Sequence, residues 1–491
     1  MDNENGRLLH SSNSYGSTGG DVSGDDDNFR SIHSLNSSGL RSSLGKSISK
    51  SIRRMQDKMR SFRASVRDMG GTCTMSNEMF NLVKNLIGAG AFGIPSGFAA
   101  IANGSRSNFT MLPAGGIILL MALIFSYYFI LVGRVCKMTG SASYREAWDM
   151  TAGKSSNMMK QLSFLVPLAV ILMAGLGNLA YSMMLADTTH SLAARWGYSV
   201  SRTASLLYVT VFVLLPLCMV KKLSVLAPFS AVGTGGIAFT VVVMAVRCFD
   251  GTYDSTKSGK YLDSSVKSTP LFVEGAPPPL GSNALLLMCM CFMAFFCHYN
   301  APRYYIELKT NTIPRFSQVT NVSFGISALI YFLIGALGYF TFGANTDGFI
   351  LNNYSQTDDL ASACRFAIAI ALIFTYPLPF IGTRDGILDL FSIGAEWQTS
   401  TNLNALTVGM LTMFTVMAYK FTDLGLVNAV GGAAFGTAVV FVFPSIMFYS
   451  AVKQLQDDAS FWIRCESVLV MALMCVGIVM GAIGVMVVVA D

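Results

Sequence analysis

Apolar stretches of about 20 residues recur from Phe80 to Val489 with short polar connections between them, a rhythm that predicts about 11 membrane-crossing helices. They begin near Phe80, Met111, Leu162, Thr203, Val225, Leu285, Val322, Ala361, Leu406, Leu424 and Val468. The period-two alternation of a barrel wall is absent, so the spans are helical. One long polar interruption, residues 250–281, separates five spans from six.

Two of the apolar stretches are interrupted. Asn81 to Phe98 breaks at Gly88-Ala89-Gly90 and is ended by Pro95; Leu285 to Leu308 breaks around Cys297 to Pro302. An unpaired peptide group in hydrocarbon costs several kcal/mol, so irregular backbone at this depth persists only where it lines a cavity. The breaks open each half of the chain, which is the arithmetic of a 5+5 inverted repeat plus one extra helix, with the first and sixth spans broken around a midplane site.

Composition supports this reading. Hydrophobic residues make up 52% of the chain and charged residues 13%, against a charged share of about 25% in soluble domains. Basic residues set the orientation. With the N-terminus cytoplasmic, the inner loops carry Arg134, Lys137, Arg145, Lys154, Lys160, Lys221, Lys222, Lys309, Arg315, Lys453 and Arg464. The outer side carries Arg106, Arg195 and Arg202, plus lysines diluted by acids in 250–281. Three glycosylation tripeptides, at Asn103, Asn108 and Asn353, fall on the outer side. The ten cysteines sit mostly in apolar spans; Cys248 and Cys364 lie near outer helix ends, where two separate thiols are favoured over a disulfide.

Residues 1–77 read as a disordered cytoplasmic tail and 78–490 as the membrane domain. Within the tail, residues 46–69 repeat apolar positions (Ile48, Ile52, Met55, Met59, Phe62, Val66, Met69), with Lys50, Arg53, Arg54, Lys58, Arg60, Arg63 and Arg67 on the other faces. That pattern suits a helix lying on the anionic cytoplasmic leaflet, and equally a solvated basic tail that enforces orientation.

The breaks supply chemistry. Backbone N–H groups over Ile87, Gly88, Ala89, Gly90 and Ala91, at the positive end of a half-helix, suit a carboxylate. Carbonyls around Phe295, Phe296 and Cys297 suit an ammonium group. Together they describe a free α-amino acid as partner. Phe92, Phe295, Phe296 and Phe374 favour a neutral side chain. Catalysis is disfavoured, since His10 and His33 lie in the tail and His190 and His298 near opposite faces; no metal-ligand spacing, cofactor motif or nucleic-acid partner appears. Lys84 is an ionisable residue inside a span, where such groups mark ion paths, or else snorkels to the headgroups.

The run Asn81-Leu82-Val83-Lys84-Asn85-Leu86-Ile87-Gly88-Ala89-Gly90-Ala91-Phe92-Gly93-Ile94-Pro95 resembles the first-helix signature of the amino acid/auxin permease family. Cys297-His298 through Tyr305, Glu307 and Leu308, then Ile330-Tyr331-Phe332 and Gly338 to Gly343, are similar to its sodium-coupled neutral amino acid branch. Thr375-Tyr376-Pro377 with Arg384, and Asp423-Leu424-Gly425 through Pro444, resemble its eighth and tenth helices. The resemblance implies a leucine-transporter-like fold of 11 helices that moves amino acids by alternating access. It associates Thr375 with sodium, but the branch's first-helix asparagine is Lys84 here, as in the proton-assisted branch. The coupling-ion region is therefore Lys84, Thr375 and His298, with a proton-coupled or sodium-independent carrier favoured over a sodium-coupled one. An amino-acid sensor of the same fold is the alternative, and plasma membrane or vacuolar/lysosomal membrane stays open.

Overall fold

The structure is a computed structural model that describes residues 71–105, 111–219, 227–262, 269–273, 281, 283–391, 393, 396–456 and 459–490. The tail segment 46–69 and Asn108 lie outside the described residues. Among the described residues eight apolar helices are long enough to cross a membrane, one further span is a bent pair, and two shorter apolar helices complete eleven segments.

In chain order these are α1 (Met75–Leu86 and Gly90–Ala102, bent by 50°), α2 (Met111–Thr139), α3 (Asn157–Arg195), α4 (Arg202–Cys218), α5 (Gly233–Phe249), α6 (Asn283–Glu307), α7 (Ile313–Phe342), α8 (Asp359–Leu388), α9 (Ser400–Lys420), α10 (Leu424–Gln454) and α11 (Phe461–Met486). Their starts follow the apolar rhythm. Large apolar side chains such as Leu119, Leu123, Phe212, Leu469 and Val476 point outward, which is what a lipid-facing surface requires.

The two breaks differ from expectation in their details. In α1 the first half ends at Leu86, a short 3-10 stretch covers Ala89–Gly93, and Ile94–Ala102 resumes the α-helix. In α6 the first half ends at Ala294, three residues before the expected break, and Ala301–Glu307 resumes it. Pro95 does not end a segment. Pro95 and Pro302 each sit in the first turn of the second half-helix, where a residue without an N–H forfeits no hydrogen bond.

Around this pair, α2 and α1 pack on α7, α5 on α8, α3 on α8, and α10 on α6. Arg134 of α2 holds Glu466 of α11 through two contacts of 2.5 and 2.6 Å, and the Tyr127 hydroxyl donates to the same carboxylate at 3.0 Å. In a medium with little water such a bidentate pair fixes α11 to the bundle.

The face opposite the start of α1 is closed by the loop between α7 and α8. Arg365 is 1% exposed, and its guanidinium donates to the carbonyls of Leu351 (2.8 Å), Ser355 (3.2 Å) and Tyr354. Arg247 clamps Asp358, which also accepts from the Tyr253 hydroxyl at 3.0 Å. Burial pulls the neighbouring Asp250 carboxyl upward, but hydrogen bonds from Thr252 and Arg247 outweigh it and hold Asp250 below the ordinary carboxylate range. Cys248 and Cys364 are free thiols.

Candidate functional site

The broken segments of α1 and α6 face one cavity of about 530 Å³, whose other walls come from α3 and α8. Its mouth lies at the face carrying the start of α1 and the end of α6: Asn81, Arg303, Glu307 and Asp385 line it and are exposed. Toward the opposite face it is sealed. There Phe92 meets the ring of Phe349 edge-on, 6.2 Å between centroids, beneath the loop held by Arg365.

Gly88 and Gly90 both line the cavity, for different reasons. A Cβ on Gly88 would lie 2.9 Å from the Tyr181 hydroxyl of α3. A Cβ on Gly90 would lie 2.8 Å from the Cα of Ala294, so at this position α1 and α6 meet backbone to backbone. The first glycine keeps room in front of a polar side chain; the second lets the two breaks touch.

Of the expected coupling residues, Lys84 and Thr375 stand in the wall of this cavity, Lys84 half-buried. Thr375 ends the first half of α8, and one residue later Pro377 starts the second. Among the described residues Lys84 makes no ion pair. Of the other charges at the mouth, Arg303 pairs with Glu307 at 2.7 Å, and Arg384 lies 3.5 Å from Asp385.

Several expected site residues are placed elsewhere. Phe296 lines the cavity, but Phe295 is fully buried behind it, stacked on Phe324 and edge-on to Tyr331. Cys297 is fully buried and its carbonyl accepts from the Asn300 N–H at 2.9 Å, because the chain turns into a 3-10 step there. His298 leaves the coupling region: it is fully buried among Phe125, Phe129 and Phe324, with Nε2 2.9 Å from the Phe125 carbonyl oxygen. Ile87 and Ala91 point into the core, and the Ile87 N–H is used by the carbonyl of Val83. Ala89 opens the 3-10 stretch; its side chain lies outside the described residues.

Tyr331 of α7 was not foreseen as part of the site. Its hydroxyl lies 2.6 Å from the Leu86 carbonyl oxygen and 2.8 Å from that of Ala294. Those are the last residues of the two first half-helices, so one phenol serves both breaks. A buried tyrosine needs a partner, and helix ends are where free carbonyls occur; that pairing is the available signal.

The family described as transmembrane amino acid transporter protein matches residues 71–490. A protein of Danio rerio named "Putative sodium-coupled neutral amino acid transporter 11" is 27% identical over 426 residues, covering 84% of this chain and 86% of that one. The amino acid transporter AVT6E of Arabidopsis thaliana is 24% identical over 423 residues, with 83% and 82% covered. Among solved structures, a mutant manganese transporter of Eremococcus coleocola superposes with a TM-score of 0.52 at 11% identity, over 86% of this chain and 91% of that one. Mhp1 in its inward-facing conformation gives 0.51 at 12% identity, over 86% and 89%. These likenesses show the leucine-transporter-like fold.

Proposed function

The chain belongs to the transmembrane amino acid transporter protein family, and from that premise we propose that it is a secondary active carrier of neutral amino acids working by alternating access. The observation that carries the reading is one cavity, lined by both broken helices, open at one face and sealed at the other. The basic residues of the loops at the open face argue that this face is cytoplasmic, with the N-terminus inside and the carrier inward-open.

The backbone at Gly88–Gly90 receives the substrate carboxylate, where the dipole of the following half-helix favours negative charge. The α6 break offers the carbonyl of Phe296 to the ammonium group, since those of Ala294 and Cys297 already accept hydrogen bonds and Phe295 is fully buried. Arg303 and Glu307 occupy one another, and Asp385 lies 3.5 Å from Arg384, so the lining holds little for a charged side chain.

Lys84 and Thr375 share the cavity, which supports proton-coupled or sodium-independent transport: an ammonium group there replaces or repels a metal cation. The test is uptake of a panel of labelled amino acids into proteoliposomes with sodium and proton gradients imposed separately. Accumulation driven by the proton gradient, or exchange indifferent to both, is expected. Uptake that collapses when choline replaces sodium, and ignores a pH gradient, would overturn the coupling assignment.

A further inference from the structure

Glu78 is fully buried in the first turn of α1, and neither carboxylate oxygen has a hydrogen-bond partner among the described residues. The segment leading into α1 covers this region. The Cys73 N–H donates to the Glu307 carbonyl at 3.0 Å, and the Lys309 N–H donates to the Cys73 carbonyl at 2.8 Å. A Cβ on Gly71 would collide with the Glu307 backbone, so only glycine lets the chain cross there. Residues 71–73 thus strap the start of α1 to the end of α6, beside the buried carboxyl.

The titratable groups around Glu78 are few. From the strap comes Cys73, whose thiol burial and the neighbouring carboxyl push up to about 12, so it stays neutral. From α6 come Arg303, Tyr304 and Glu307, and the arginine is 73% exposed and already paired with Glu307. From α7 comes Ser323, whose hydroxyl donates to the Met79 carbonyl at 3.3 Å and does not titrate. The helix dipole, Arg303 and the weakly donating Cys73 thiol favour an ionised Glu78, but no donor sits at bonding distance from its oxygens among the described residues, and burial, the larger effect, favours the neutral acid.

We propose that Glu78 is a proton-binding site: as a neutral carboxyl it completes the contact between the first half of α1 and the end of α6, and its ionisation undoes that contact. The proton leaves to water at the open face, and the carboxylate left behind must be solvated, which requires the strap to lift. The docked form binds a proton that the lifted form releases, so acid at this face favours docking and alkali favours lifting. The site differs from Lys84 and Thr375, since it lies beneath the mouth and regulates the motion of the half-helix. Assigning that face to the cytoplasm rests on the orientation proposed above.

The test is hydrogen exchange of the peptide covering Met75–Leu86 in the purified full-length protein, corrected for intrinsic rates, together with equilibrium exchange of labelled amino acid in proteoliposomes. In the unsubstituted protein, protection should fall about tenfold between about pH 5.5 and about pH 8, and in Glu78→Gln it should vary by less than roughly twofold and match the acid form. The pH profile of amino acid exchange should flatten in parallel. Equal pH dependence in the two proteins, or protection that rises with pH, would overturn the proposal. Hydrogen exchange needs no transport, so an inactive carrier and a failed proton site give different results.

Discussion

The hydroxyl of Tyr331 lies 2.6 Å from the carbonyl oxygen of Leu86, the residue at which the first half of α1 stops. The Ala294 carbonyl, which ends the corresponding half of α6, accepts from the same Tyr331 hydroxyl at 2.8 Å. A phenol has a single proton to share between two acceptors, so it holds the breaks together while leaving each contact weak enough to exchange. Tyr331→Phe keeps the ring packing on Phe295 and leaves two buried carbonyls without their donor. The expected cost is about 1–3 kcal/mol, seen as a lower melting temperature in detergent and a fall in maximal uptake. A melting temperature equal to that of the unsubstituted protein would show that these carbonyls find other donors.

Gly88 and Tyr181 lend themselves to a rescue experiment. Alanine at 88 would set its Cβ 2.9 Å from the Tyr181 hydroxyl, whereas the next ring atom is 3.9 Å away. Gly88→Ala should therefore lose uptake, and Tyr181→Phe added to it should restore part of the loss. At Gly90 no such rescue exists, because the obstacle is the Ala294 backbone. Gly90→Val should abolish uptake in every background. Restoration of Gly90→Val by a side-chain substitution would contradict the backbone contact.

The spans, the two interruptions and the small residues at the first of them were legible in the sequence, because hydrocarbon imposes one length and one polarity on every helix that crosses it. The side of a break that faces the cavity was not legible. Phe295 and Phe296 are adjacent and both apolar, yet one stacks on Phe324 and the other lines the cavity. His298 is a polar residue at a break, but three aromatic rings surround it and its Nε2 meets the Phe125 carbonyl, leaving only Nδ1 without a partner among the described residues. Arg365 is a charged residue in an apolar span, and it fastens the loop between α7 and α8 through three backbone carbonyls. Contacts from distant segments decide these cases.

Lys84 sits in the cavity wall without an ion pair among the described residues, so removing its charge should change the ion dependence of transport. Lys84→Asn leaves an oxygen ligand and no positive charge near Thr375. Uptake by this variant should become stimulated by sodium, measured against choline, with little residual dependence on an imposed pH gradient. A variant whose uptake stays indifferent to sodium would show that Lys84 is not what excludes the cation.

Of the tripeptides at Asn103 and Asn353, one is occupied by the fold. Asn353 is fully buried, its amide donating to the Asn345 carbonyl at 2.8 Å and its Oδ1 accepting from the Asp347 N–H at 2.7 Å. Asn103 is exposed at the end of α1. Asn353→Gln should lower thermal stability by about 1–3 kcal/mol with no change in glycosidase-sensitive mass, because it disturbs buried hydrogen bonds. A mass shift on that substitution would mean that the side chain is accessible to the transferase.

Asn428 of α10 carries the last prediction. It is 1% exposed, and neither end of its amide has a hydrogen-bond partner among the described residues. Its Nδ2 lies against Gly93, where an added Cβ would come within 3.2 Å, at the sealed end of the cavity. Closing this end therefore strips an amide of water and returns nothing, which weakens the seal and eases its reopening. Asn428→Leu removes the penalty with the same branching. Stabilising the closed seal by about 2 kcal/mol corresponds to roughly a thirty-fold shift in population. Hydrogen exchange across Leu424–Gly431 should slow, and net uptake should fall because the seal opens less often. Unchanged exchange in this turn would show that the amide is paired when the seal is shut.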